Sequence, residues 1–149
     1  MAGSPSIAAV GGAVGLIWAC MLVASGLVFN YGAAVVVDLY EKSPAQAVSA
    51  WQAIEPVADA LSSGQGELLG GLWVLLVSVA ALRTAALPKA LNWLGILIGI
   101  AGIASVIPPL RDAVYVFGLL EIVWLIWVGI VMFRTRASEE NQRQPVSPQ

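Results

Sequence analysis

The chain has 149 residues, of which 59% are hydrophobic and 11% charged, with a mean hydropathy of +0.86. A water-soluble domain is nearer half apolar and a quarter charged, so most of this chain needs an apolar surrounding, and its length allows one domain. The net charge of -2 excludes a basic nucleic-acid surface, the lack of histidine excludes His-ligated haem or zinc and a His general base, and the single Cys20 excludes an intrachain disulfide.

Crossing a hydrocarbon core takes about 20 apolar residues in a helix, fewer where flanking side chains snorkel. The first segment to qualify is 7–29, which carries no charge. No basic residue precedes it, as one would before a secretory signal, and Trp18 stands where a lipoprotein site ending at Cys20 needs a small residue. The segment is therefore expected to be a retained span. The next stretch, 30–66, is expected to be an acidic outer loop with Asp38, Glu41, Glu55 and Asp59 against Lys42. Within it, Ser43-Pro44-Ala45-Gln46 predicts a helix start, with Ser as N-cap and Pro at the first helical position. Val48, Trp51, Ile54, Ala58 and Leu61 then form an apolar stripe at helical spacing, and Pro56 is expected to kink or split the helix. Such a helix would lie on the outer membrane surface or cap the bundle, with Trp51 as an interfacial anchor. Residues 62–66 (SSGQG) are expected to end it flexibly.

Three more spans follow: 67–82, bounded by Arg83; 90–107, stopped by Pro108 and Pro109; and 113–133, interrupted by Glu121 and closed by Arg134 and Arg136. The tail 137–149 is polar, contains two prolines and is expected to be disordered. The runs are continuously apolar, without the alternation of a barrel strand, so the expected fold is all-α. It is an integral membrane four-helix bundle with an extracytoplasmic amphipathic helix between spans 1 and 2. One side of the bilayer holds Arg83, Lys89, Arg134, Arg136 and Arg143, the other only Lys42 and Arg111, which places both termini in the cytoplasm. No internal repeat and no inverted pair of broken helices is visible.

Glu121 is the ionisable residue deepest in a span, about eight residues or 12 Å from the outer end of its helix. A carboxylate there should face the bundle interior, find a hydrogen-bond partner or be protonated, with Ser25, Ser105, Ser78 or Arg111 as candidate partners. It is either a proton or cation site or an acid that fixes packing. Gly11 and Gly15, Gly66 and Gly70, and Gly95 and Gly99, extended by Gly102, have the spacing that lets helices approach closely. These faces would close the bundle or carry self-association. Trp51, Trp73 and Trp93 are placed as interfacial anchors, and Trp124 and Trp127 as core bulk or lipid-facing side chains. The outer acids lack ligand spacing and count as a solvated face. No metal, cofactor or catalytic residue is therefore expected.

The stretch GELLGGLWVLLVSVAALR (66–83), the following LPKALNWLG (87–95) and GLLEIVWLIWVGI (118–130) resemble the bacterial multi-pass membrane proteins of domain-of-unknown-function family 4386. The resemblance covers about 100 residues, most clearly 66–133. It implies a helical membrane fold and places Glu121 at the family's acidic position, but it supplies no catalytic residue. The family commonly has about six spans, of which this chain would keep the last four. The function expected is that of a non-catalytic scaffold or accessory subunit in a bacterial cytoplasmic membrane, with the lipid bilayer, itself or other membrane subunits as partners. The alternative is an oligomeric ion or proton conduit that uses Glu121. An enzyme, or a quinone or pigment protein built on Trp124 and Trp127, ranks third.

Overall fold

A computed structural model describes residues 4–62 and 66–143. These form five α-helices and no strand: α1 Ser4–Tyr40, α2 Pro44–Ser62, α3 Leu68–Thr84, α4 Lys89–Ala104 and α5 Ala113–Arg143, with a 3-10 turn at Pro108–Leu110 before α5. The described residues are thus all-α. Two helical stretches, Ser6–Tyr40 and Ala113–Ala137, are long and apolar enough to cross a membrane, while α3 and α4 are apolar but shorter. Only 6% and 17% of the most apolar windows of the two long stretches is buried within the protein, so neither is an ordinary core helix.

Several boundaries differ from the sequence reading. The first helix does not end at Phe29 but runs to Tyr40, so 30–40 belong to α1 and not to a loop. That stretch stays free of charge until Asp38, and α2 folds back along it. Phe29 meets Trp51 edge-on at 5.3 Å, and the Ser25 hydroxyl donates to the Ala58 carbonyl at 2.8 Å. A Cβ on Gly32 would run into the Ile54 side chain, so the two helices touch backbone to side chain there.

α2 starts where Ser43 and Pro44 predict, and the Ser43 carbonyl accepts from the Ala47 amide at 3.1 Å. Pro56 does not split it. Pro56 and Gln52, whose carbonyl loses its helical donor, both lie on the exposed side, where that acceptor need not stay unpaired. The side of α2 that faces α1 carries buried Ala47 and Ala58 and half-buried Trp51, Ile54 and Leu61, whereas Val48, expected on the stripe, is exposed. Its packing partner is α1, not a flat membrane surface, and Trp51 is engaged with Phe29 instead of standing alone as an anchor.

α4 stops at Ala104, earlier than expected, because Ile107 is held extended ahead of Pro108. α5 continues through 137–143, expected to be disordered. Ala, Glu, Gln and Arg in this stretch are good helix formers. Residues 144–149 and 63–65 lie outside the described residues.

α1 packs on α3, α3 on α4 and α4 on α5. The tightest seam is α3 against α4, where backbone meets backbone. A Cβ on Gly71 would sit 2.8 Å from both the Gly99 carbonyl oxygen and the Ile103 nitrogen, and one on Gly102 would sit 2.8 Å from Gly71 Cα. Around this seam Val74, Leu91, Ile98, Phe117 and Trp124 form the buried core. α3 ends on Ala85 in the left-handed conformation (φ 52°), which lets the Ala86 amide reach back to the Ala81 carbonyl at 3.1 Å.

The seam leaves no room for even one methyl group. Gly71→Ala should destabilise the protein by about 1–3 kcal/mol, the usual cost of overpacking. Gly12, whose Cβ would meet nothing within 4 Å, should accept Ala without loss. Thermal unfolding of the two variants in the same detergent checks this, and equal melting would contradict the seam.

Candidate functional site

The site is built where three helices meet the outer turns of α3. Glu67 precedes α3, and its side chain makes no capping hydrogen bond to the helix. Instead a Cβ on Gly70 would lie 2.8 Å from Glu67 Oε2, 2.8 Å from Trp18 of α1 and 2.9 Å from Phe117 of α5. The carboxylate is therefore folded over Gly70 into an aromatic surround. One turn further along α5, Glu121 is only 8% exposed, and its Oε1 is buried with no hydrogen-bond partner among the described residues. Glu67 Oε2 and Phe117 both lie against Gly70, and Glu121 follows Phe117 by one turn, so the two carboxylates occupy the same region of the bundle. Two like charges in a water-poor setting raise each other's energy, so a proton or small cation placed between them lowers it.

The local sequence explains how Glu67 is held. Gly66 has φ +125°, a conformation that disfavours any side chain, and a Cβ there would fall 2.6 Å from the Ser105 carbonyl carbon and the Val106 nitrogen. This close approach lets the Glu67 amide donate to Ser105 Oγ at 2.9 Å, while the Ser105 hydroxyl donates to the Gly102 carbonyl at 2.6 Å. The α4 end therefore pins the backbone from which the Glu67 side chain departs. Gly66 is a turn glycine and not half of a helix-packing pair.

Below the acids three indoles run across the helices. Trp18 and Trp73 lie 5.7 Å apart, and Trp73 and Trp124 6.1 Å apart, edge to face. Trp73 is thus half-buried between α1 and α5. Trp124 is 1% exposed, and its indole N–H donates to the Leu91 carbonyl at 3.0 Å, so it serves backbone rather than a carboxylate. Trp93 is exposed on α4, as an anchor requires, and Trp127 is exposed at the edge of α5.

None of the serines named as partners of Glu121 has a described hydrogen bond to it. Ser25 serves Ala58, Ser105 serves Gly102 and Glu67, and Ser78 Oγ is buried with no partner among the described residues. Arg111 is exposed in the turn before α5. The residue that sequence reasoning missed is Glu67, which was counted as the edge of a span and not as a second interior acid. Its signal was local: Glu67 stands three residues before Gly70, whose missing side chain leaves the space its carboxylate occupies.

The expected packing glycines fall inside the protein. Gly11 faces Leu76 and Gly15 faces Trp73 on α3, Gly95 faces Ser78 and Trp124, and Gly99 and Gly102 face Gly71. Gly12, Gly26, Gly118 and Gly129 have open surroundings instead. The outer acids do not cluster: among the described residues no group of three or more Asp, Glu or Cys is placed to hold a metal. No family model, curated protein or solved structure matches this chain.

If the two carboxylates share one electrostatic site, neutralising either removes most of the repulsion. Glu121→Gln should stabilise the protein, and the gain should shrink by about 0.5–3 kcal/mol when Glu67→Gln is already present. A double-mutant cycle of melting temperatures at mildly alkaline pH measures this, and additive effects would show that the two groups do not sense each other.

Proposed function

We propose that this chain is a small non-catalytic integral membrane protein, a scaffold or accessory subunit with α1, α3, α4 and α5 as four spans. The observation that carries the reading is the contrast between its interior and its flanks. The interior is closed by glycine backbone contact and by buried Trp124, Val74 and Ile98. The flanks of the two longest helices are apolar and uncovered: Leu16, Val23 and Leu27 on α1 and Leu119, Ile122 and Ile126 on α5 are all exposed. Such surfaces need lipid, a second copy or another subunit. α3 and α4, at 17 and 16 residues, are short for spans on their own but sufficient where flanking charges such as Arg83 and Lys89 snorkel.

The cationic end made by Arg83, Lys89, Arg134 and Arg136 supports cytoplasmic termini in a bacterial inner membrane. The α1–α2 hairpin, with Glu41, Glu55 and Asp59, then stands outside. The resemblance to family 4386 belongs to this proposal, supported by the position of its LPKALNWLG stretch at the α3–α4 turn, where the Asn92 amide group donates to the Leu87 carbonyl. Association would use the open glycines Gly12 and Gly26 of α1 and Gly118 of α5, since the other small-residue faces are occupied internally.

The Glu67–Glu121 pair favours a second reading, in which the chain moves protons or small cations as an oligomer. A proton-flux assay on proteoliposomes, coupled to native mass spectrometry of the same particle, separates the two. The scaffold account predicts flux equal to that of empty vesicles and a particle held together with itself or with other subunits. Flux that disappears in Glu121→Gln would contradict it and establish the conduit.

A further inference from the structure

At the end of the bundle opposite the carboxylates, the α3–α4 turn and the last apolar turns of α5 enclose a groove of about 540 Å³. Leu87 forms one wall, Gly129, Met132 and Phe133 the other, and Arg136 stands at its end. Among the residues whose side chains are described, the charges around it have one sign. Arg83 lies in the last turn of α3, Lys89 opens α4, and Arg134 and Arg136 follow Phe133, all exposed. Residues 68–111 and 122–137 contain no acid, and the next in the chain, Glu139 and Glu140, have side chains outside the described residues.

An apolar trough that ends in cations at the level where a bilayer's headgroups begin matches one kind of molecule, an amphiphile with an anionic head. A free phosphate would leave the walls of Leu87, Met132 and Phe133 without a partner. An uncharged lipid would give Arg136, Arg83 and Lys89 no anion to hold. We propose that this groove binds one acidic phospholipid of the leaflet facing the cationic end. An acyl chain lies along Leu87, Met132 and Phe133, and the headgroup phosphate is held by Arg136 with Arg83 and Lys89 nearby. The inference rests on the membrane reading above.

Gly129 provides a test that spares the fold, because a Cβ there meets nothing within 4 Å and a larger side chain enters the groove itself. The full chain is reconstituted into phosphatidylcholine vesicles doped with phosphatidylglycerol, extracted mildly and weighed by native mass spectrometry. The wild type should retain phosphatidylglycerol enriched about tenfold over its share of the bilayer. Gly129→Leu should lose the bound lipid while melting like the wild type, and Arg136→Gln should keep a lipid without preference for the acidic one. Equal retention of the two lipids by the wild type, or an undiminished adduct in Gly129→Leu, would overturn the proposal. Failure of the chain to float with the vesicles would overturn the membrane reading first and this one with it.

Discussion

The backbone contact between α3 and α4 sets the geometry of everything around it. Gly71 lies against Gly99 and Gly102 with no side chain between them, so the two helices approach as closely as their main chains allow. The approach brings the Glu67 carbonyl within 3.0 Å of where a Gly102 Cβ would be and lets Phe117 of α5 enter over Gly70 and Gly102. With Phe117 in place, the register of α5 is fixed, and the next turns carry Glu121 inward and Trp124 onto Leu91. The carboxylate pair is thus a consequence of the seam. Widening the seam would move α5 and separate the acids.

The same packing would let the two shorter apolar helices accompany the two long ones in the four-span arrangement proposed above. Among lipid tails an apolar helix gains little from hydrophobic burial, and close van der Waals contact decides association. α3 supplies such contact on several sides: Gly71 and Gly70 towards α4 and α5, and Leu76 and Trp73 towards Gly11 and Gly15 of α1. α1 has a second role beyond α3. Its outer part provides the surface along which α2 lies, fixed by the Ser25–Ala58 hydrogen bond and by Phe29 on Trp51.

The helical class, the start of α2 at Pro44 and the bounds of α3 were legible because they depend on local features: apolar runs, a Ser-Pro cap and flanking charges. The end of α1 was not, since Asn30 and Gly32 suit a loop while no charge before Asp38 marks a helix end, and the packing of α2 decides it. The ring contacts of Trp73 were hidden for a related reason, since its place between Trp18 and Trp124 depends on helices that only the fold brings together. Gly71 escaped the spacing rule because neither Glu67 nor Leu75, four residues to either side of it, is small. Glu121 was legible as a buried acid, but its partner was not, because Glu67 and Glu121 are brought together only by the α3–α4 seam and the entry of Phe117.

The account stands or falls on α3 lying antiparallel beside α1 within the membrane, since the seam, the indole row and the acid pair are all assembled on that frame. In the structure a Cβ on Gly11 would be 3.4 Å from Leu76 Cβ, close to the separation of about 3.5–4.5 Å found in disulfides, while Gly12 faces open space. The most direct measurement is oxidative cross-linking in native membranes of chains in which Cys20 is replaced by Ala. Gly11→Cys paired with Leu76→Cys should close efficiently, and Gly12→Cys paired with Leu76→Cys should not. Absence of the first cross-link, or equal closure of both pairs, would contradict the packing on which the rest depends.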